Sequence, residues 1–231
     1  MATTTSERIS MSDKNAVIRE YTGLAPDYDR RWSFYIEATL RHTLRRLEVN
    51  SRENLLDVGC GTGALLEALA TSVPDAKLSG VDPSSAMLDM ARKRLGDAVV
   101  FKQGYAASLP FPNQAFDVVV STNAFHYFRD PLGALEEMAR VLRPAGRLVI
   151  TDWCDDYVAC RLCDLWLRVF NRAHFRTYGQ KECAQLFEKA GLRRVRVERY
   201  KINWLWGLMT AVGQRHAAQQ ANAADRPSAG R

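Results

Sequence analysis

Between residues 53 and 153, short apolar runs alternate five times with segments whose apolar residues recur at helical spacing. The runs are 53–58, 76–82, 98–104, 115–122 and 146–153. The fourth, AFDVVVST, is almost unbroken in apolar character, as suits a strand buried on both faces of a parallel sheet. Helical segments are expected at about 63–71, from Pro83-Ser84 to Gly96, and from Asp130-Pro131 to Pro144. Each is bounded by residues that start or stop helices. Parallel neighbours need crossover connections, so this alternation predicts an α/β, doubly wound sheet. A chain of 231 residues is long enough for one such domain with additions at its ends.

Residues 1–11 read as a loose tail, and 12–48 as two helices, the second with Ile36, Leu40, Leu44 and Leu47 on one face. Beyond the alternating core, helices are expected at 156–171 and 180–190 and strands at 193–203 and 204–213. The expected organisation is a tail and helical cap over 1–48, one nucleotide-binding domain over 49–214, and a disordered tail over 215–231. The net charge of +6 is spread over short groups such as Arg45-Arg46 and Arg92–Arg94, which read as solvated faces. No nucleic-acid partner is therefore expected, and attraction to an anionic lipid surface or an acidic substrate is the minor reading. The first 20 residues carry charges and no apolar core, and no run approaches the roughly 18 apolar residues of a transmembrane helix. Five cysteines, an odd number, suggest no disulfide framework. The expectation is a cytoplasmic protein with reduced thiols.

Gly59, Gly61 and Ala64 follow the first apolar run in the loose dinucleotide-binding pattern, and Asp82 stands where a carboxylate would hold a ribose. Asp57, two residues before the first glycine, argues against a dinucleotide, because a carboxylate there would repel a pyrophosphate. It suits a nucleoside with cationic groups and no phosphate, and S-adenosylmethionine is such a ligand.

Four stretches, LLDVGCGTG (55–63), GVDPSSAML (80–88), LPFPNQAFDVVVSTNAFHYF (109–128) and EEMARVLRPAGRLVI (136–150), resemble in order and spacing the motifs of class I SAM-dependent methyltransferases. The likeness is to the subgroup containing the ubiquinone- and menaquinone-biosynthesis enzymes. It implies a seven-stranded Rossmann-like sheet of order 3-2-1-4-5-7-6 with strand 7 antiparallel and a helical N-terminal cap. It implies S-adenosylmethionine as cofactor and S-adenosylhomocysteine as product. Carried over residue by residue, Asp57 would meet the methionine end, and Gly59, Cys60 and Gly61 would let the backbone approach the cofactor. Asp82 would accept both ribose hydroxyls, Pro83 and Met87 would flank adenine, and Ser121 would face the methionine part. The family often has Gly-Asp-Ala before LPF; this chain has Gly104-Tyr105-Ala106, so Tyr105 or the backbone of Ala106 would meet adenine. YTGLAPDYDRRW (21–32) resembles the family's lid segment, in which Tyr21, Tyr28 and Arg31 would close over the cofactor.

Methyl transfer needs alignment, exclusion of water and, for an oxygen or carbon acid, a base. His126, after the fourth strand, Trp153, after the fifth, and His174 in NRAHFRTYG are the candidate catalytic residues. Arg176 could hold an acidic group. No metal site is expected, since only Cys160 and Cys163 approach ligand spacing and no second pair completes it. Asn123 is followed by Ala-Phe-His, unlike the motif of base-amino methyltransferases. DWCDDYVACRLCDLWLRVF (152–170) could line a pocket for a small, partly apolar acceptor or be the core face of a helix, and the core is the favoured reading. The expected function is methyl transfer to a small molecule, with an RNA or protein methyltransferase and a non-catalytic SAM-binding regulator as the alternatives.

Overall fold

The chain turns its longest apolar runs into the middle of one sheet. The computed structural model describes Ile18 and residues 21–170, 175–204 and 206–216, with residues 168–170 described by backbone alone. In chain order the elements are α1 (Tyr28–Leu47), β1 (Asn54–Val58), α2 (Ala64–Ser72), β2 (Lys77–Asp82), α3 (Ser85–Leu95), β3 (Val99–Gln103), β4 (Phe116–Thr122), α4 (Pro131–Val141), β5 (Leu142–Trp153), α5 (Val158–Phe170), α6 (Gln180–Lys189), β6 (Leu192–Lys201) and β7 (Gly207–Arg215). The sheet order is β3-β2-β1-β4-β5-β7-β6. β7 runs antiparallel to both β5 and β6, and the other pairings are parallel. This is the order that the family likeness implies. Among the described residues, no helix is long and apolar enough to cross a membrane.

Successive strand residues point to opposite faces, so each central strand feeds two cores. Leu55, Val118, Val120 and Val149 pack with Leu47 of α1 and Leu65, Leu66 and Leu69 of α2. Leu56, Val58, Val119 and Ile150 pack on the other side with Leu135 and Met138 of α4 and Phe187 of α6. Both layers are essentially dry, and this burial is the main stabilising term of the fold.

Three local readings need correction. In α1 the fully buried row is Ala38, Thr39, Thr43 and Leu47, while Ile36, Leu40 and Leu44 are half-buried. The buried hydroxyls are satisfied: Thr39 donates to the Tyr35 carbonyl, and Thr43 bonds to both the Thr39 carbonyl and Thr151 at 2.9 Å. The helix before β5 ends at Val141, not at Pro144. Leu142 already pairs with Phe116, and a register shift with Ala145 at φ 65° absorbs Pro144 before Val118 meets Arg147. In α5, Cys160 is buried as the core reading requires, but Trp166 is exposed; Asp164 turns inward beside Cys160 instead. Of the two helices expected over 12–48, the first falls largely outside the described residues, as do both expected tails.

Candidate functional site

β1 and β4 are neighbours whose crossovers leave in opposite directions, and the crevice at their carboxyl ends is where open α/β sheets bind ligands. Two adjoining cavities of about 130 and about 250 Å³ lie there, sharing Gly59, Pro83, Tyr127 and Phe128. The first is walled by the glycine turn, the ends of β2 and β4, and the apolar side chains Ile18, Ile36, Leu40 and Met87. The second runs between Pro83, Gly104–Ser108 and residues 127–130.

The first cavity has an unusual charge balance. Asp57 and Asp82 both line it, and no Lys, Arg or His is among its described lining residues. Asp57 is 1% exposed, and neither carboxylate oxygen has a hydrogen-bond partner among the described residues. Burial first, and the charge of Asp82 second, push its carboxyl up to about 8. An ionised carboxylate without a donor is costly in such a place, so the site is built for a cationic ligand group or a proton. Asp82 is better held: Gly61 N–H donates to Oδ2 at 3.0 Å and Ser84 N–H to Oδ1 at 2.8 Å. Burial still raises it to about 6 against those two bonds. A carboxylate has four acceptor positions, so Asp82 keeps room for two more donors, as a ribose diol offers.

The glycines do different work. Gly59 has φ 76°, and a Cβ there would lie 2.7 Å from Ala124 Cβ, so the side chain it must lack is excluded by the protein. Gly61 has φ 51°, and a Cβ there would meet nothing within 4 Å. Only at Gly61 does the missing side chain keep the cavity itself clear. Cys60 is buried, lines the cavity and packs behind β2.

Pro83 lines both cavities, Met87 and Tyr28 line the first, and Tyr105 and Ala106 line the second. Tyr105 is largely exposed at the mouth. Burial, with Asp29 beside it, raises the Tyr28 hydroxyl to about 12, so it stays protonated. Ser121 does not reach the cavity: its hydroxyl donates to the Val58 carbonyl at 2.6 Å, and Thr122, Asn123 and Ala124 form the wall there. Arg31 is exposed. Arg176 pairs with Glu182 and lies over the Tyr178 ring. His174 lies outside the described residues.

The His126 and Trp153 side chains stand behind the wall formed by Thr122, Asn123, Ala124, Tyr127 and Phe128, in an aromatic layer. His126 Nδ1 lies 2.7 Å from Asp152 Oδ1, its backbone N–H donates to Oδ2 at 3.0 Å, and Trp153 N–H donates to Oδ1 at 2.7 Å. The His126 and Trp153 rings stack with centroids 5.5 Å apart. Trp153 Nε1–H donates to the Tyr35 hydroxyl, which in turn donates to Asn123 Oδ1 at 2.7 Å. Asn123, at φ 53°, is a residue that tolerates the left-handed region.

Sequence reasoning missed the tie that holds the cap down. Asp29 accepts from the Thr62 hydroxyl at 2.7 Å and pairs with Arg94 of α3, so the start of α1 is pinned to the glycine turn. Tyr21 adds a hydroxyl bond to Tyr127 at 2.7 Å. Asp29 is the residue after Tyr28 in the lid segment, and that adjacency was the available signal.

Comparison with known proteins agrees with this geometry. The family model described as a methyltransferase domain matches residues 56–150. The chain is 37% identical over 144 residues to the demethylmenaquinone methyltransferase of Thermotoga maritima, covering 60% of this chain and 62% of that one. The match thus spans less than two thirds of that relative. With the demethylmenaquinone methyltransferase of Listeria welshimeri serovar 6b it is 32% identical over 169 residues, 69% of either chain. Among solved structures it is similar to a chain of the complex between the Haloferax volcanii Trm112 methyltransferase activator and its candidate methyltransferase. That match has TM-score 0.75 and 25% identity, over 85% of this chain and 98% of that one. Sheet order, glycine turn, paired carboxylates and these relatives together make the chain a member of the class I SAM-dependent methyltransferases, whose cofactor is S-adenosylmethionine.

Proposed function

We propose that this chain transfers a methyl group from S-adenosylmethionine to a small, partly apolar acceptor. The observation that carries the reading is the acidic cavity: a buried Asp57 carboxylate with Asp82 beside it and, among the described residues, neither a hydrogen-bond partner for Asp57 nor a cation in the wall. S-adenosylmethionine brings an ammonium, a ribose diol and a methyl group made electrophilic by its sulfonium. Asp57 would take the ammonium, Asp82 the diol, and Gly61 would leave the approach open. Pro83 and the 104–108 segment would hold the adenine in the second cavity.

The chain's own groups then exclude water and fix the acceptor's approach. Tyr21, Tyr28, Ile36 and Leu40 cover the first cavity from the cap, and Phe128 closes it from the β4 side. These walls favour an acceptor with an apolar portion, in keeping with relatives named for demethylmenaquinone. Asp152 and His126 serve as positioning residues: two bonds from His126 to one buried carboxylate tie residues 123–128 to the end of β5 as a wall.

The test is calorimetric titration with S-adenosylmethionine and S-adenosylhomocysteine, followed by transfer of labelled methyl to a panel of small quinols, phenols and amines. Micromolar binding abolished in Asp82→Ala, with label moving to at least one acceptor, is the expected result. Binding with no transfer to any small molecule, but transfer to RNA or protein, would refute the acceptor class. Absence of binding would refute the whole reading.

A further inference from the structure

Helix α5 is built inside out. Its inward face carries Cys160 and Asp164, both under 5% exposed. Both are anchored: Asp164 Oδ1 accepts from Thr177 N–H at 2.7 Å, and the Cys160 sulfur accepts from Gly207 N–H at 3.2 Å. Its outward face carries Val158, Leu162, Leu165 and Trp166, spaced i, i+4, i+7 and i+8 and 60–76% exposed. Trp204, in the turn between β6 and β7, is 84% exposed and borders one groove with Val158, Leu162 and Lys201. Large apolar side chains on two elements thus share one open surface, more than single scattered exposures explain. Since Cys160 and Asp164 are engaged inside, rotating the helix to hide the apolar row would break buried bonds. The exposure is a property of the fold.

We propose that this face, α5 together with the β6–β7 turn, docks on an anionic lipid bilayer. Two observations select a bilayer over a protein partner. Trp166 and Trp204 combine an apolar body with a polar N–H, the chemistry that settles at the boundary between headgroups and acyl chains. Exposed Arg161 and Lys201 flank the apolar row, Arg199 nearby is paired with Asp156 at the edge of the same groove, and the chain as a whole carries a net charge of +6. The face also adjoins the site. Trp206, in the same turn as Trp204, has its ring 5.9 Å from Trp153, which stacks on His126. Bilayer docking would therefore bring the acceptor side of the enzyme to a reservoir of apolar molecules.

Flotation of the full chain with phosphatidylcholine vesicles containing about 30% phosphatidylglycerol tests this. The protein should float with these vesicles and bind phosphatidylcholine alone more weakly. Leu162→Asp combined with Leu165→Asp should cut the bound fraction at least about tenfold. Trp204→Ser, in a turn and outside every helix, should cut it too, with an unchanged thermal midpoint. Failure to float, or flotation that these substitutions leave intact, would overturn the proposal. So would a concentration-dependent dimer in sedimentation velocity that the same substitutions dissolve, in the absence of vesicle binding, since that would make a second copy the occupant. Binding of S-adenosylmethionine is measured separately, so a negative result here leaves the methyl-transfer reading standing.

Discussion

At Asp57 the cavity's electrostatics become a titration. Its folded value of about 8 lies far above the usual carboxylate value of about 4. Between those limits the folded chain keeps a proton that the unfolded chain has lost, so this group's share of stability is whole below about pH 4 and drains away as pH climbs to about 8. Asp57→Asn abolishes that loss. By thermal scanning of the ligand-free protein, the variant should melt higher than wild type at pH 8, by about 2–4 °C per kcal/mol regained, with the gap closing toward pH 4. An ammonium beside the carboxylate favours its ionised form, so binding of S-adenosylmethionine near pH 7 should release protons. Calorimetry in buffers of different ionisation heat reads that release, and identical heats would rule out the pairing. The two glycines separate in the same way. Gly59→Ala should destabilise the fold by about 1–3 kcal/mol, because its Cβ meets Ala124. Gly61→Ala should cost less stability and weaken the cofactor more, as chemical denaturation and calorimetry together would show. Both carboxylates were legible in the primary structure, being polar residues at the ends of apolar runs. The partner that makes Gly59 necessary was not, because Ala124 meets it only after β1 and β4 pair.

Single elements were legible by their faces, and the misreadings came where polar side chains found buried partners. Thr39 and Thr43 lie on the buried row of α1 because each can return its hydroxyl bond to a carbonyl one turn back. Asp164 enters the interior for a similar reason, and no periodicity rule gives an aspartate that place. One carboxylate, Asp29, ties the start of the cap to the glycine turn, and another, Asp152, ties His126 of the wall to β5. Asp29→Ala removes the Thr62 and Arg94 ties and should raise the KM for S-adenosylmethionine about tenfold, with faster amide exchange over 28–36 and little change in melting temperature. For the wall, His126→Asn should lower kcat/KM about 10- to 100-fold, through loss of geometry. The pH–rate profile of this variant should keep its shape; loss of one limb of that profile would show instead that His126 is the base.

At the scale of the whole molecule, a buried line of hydroxyls stitches the β5-β7-β6 side of the sheet to the cap. Thr43 of α1 meets Thr151 of β5, Thr151 meets Thr210 of β7 at 2.9 Å, and Thr210 meets the Tyr200 hydroxyl of β6 at 2.8 Å. Thr151→Val takes one bond each from Thr43 and Thr210, which keep their bonds to the Thr39 carbonyl and the Tyr200 hydroxyl, and should cost about 1–2 kcal/mol in urea unfolding. The alternation of runs was enough to read a parallel sheet, since it encodes which strands are buried on both sides. The seating of β7 between β5 and β6 became visible only through likeness to a family, because a hydrophobic pattern marks a strand's faces and leaves its neighbours open. That seating governs how the molecule can assemble. β6 is made before β7, yet among the described residues β7 is its one partner in the sheet. During synthesis β6 must therefore wait, its backbone groups in water, until the last strand emerges and carries it onto β5 as a finished hairpin. The closing step of folding thus waits for residues 207–215, and a chain cut before Gly207 would be left with a five-stranded sheet and β5 as a bare edge.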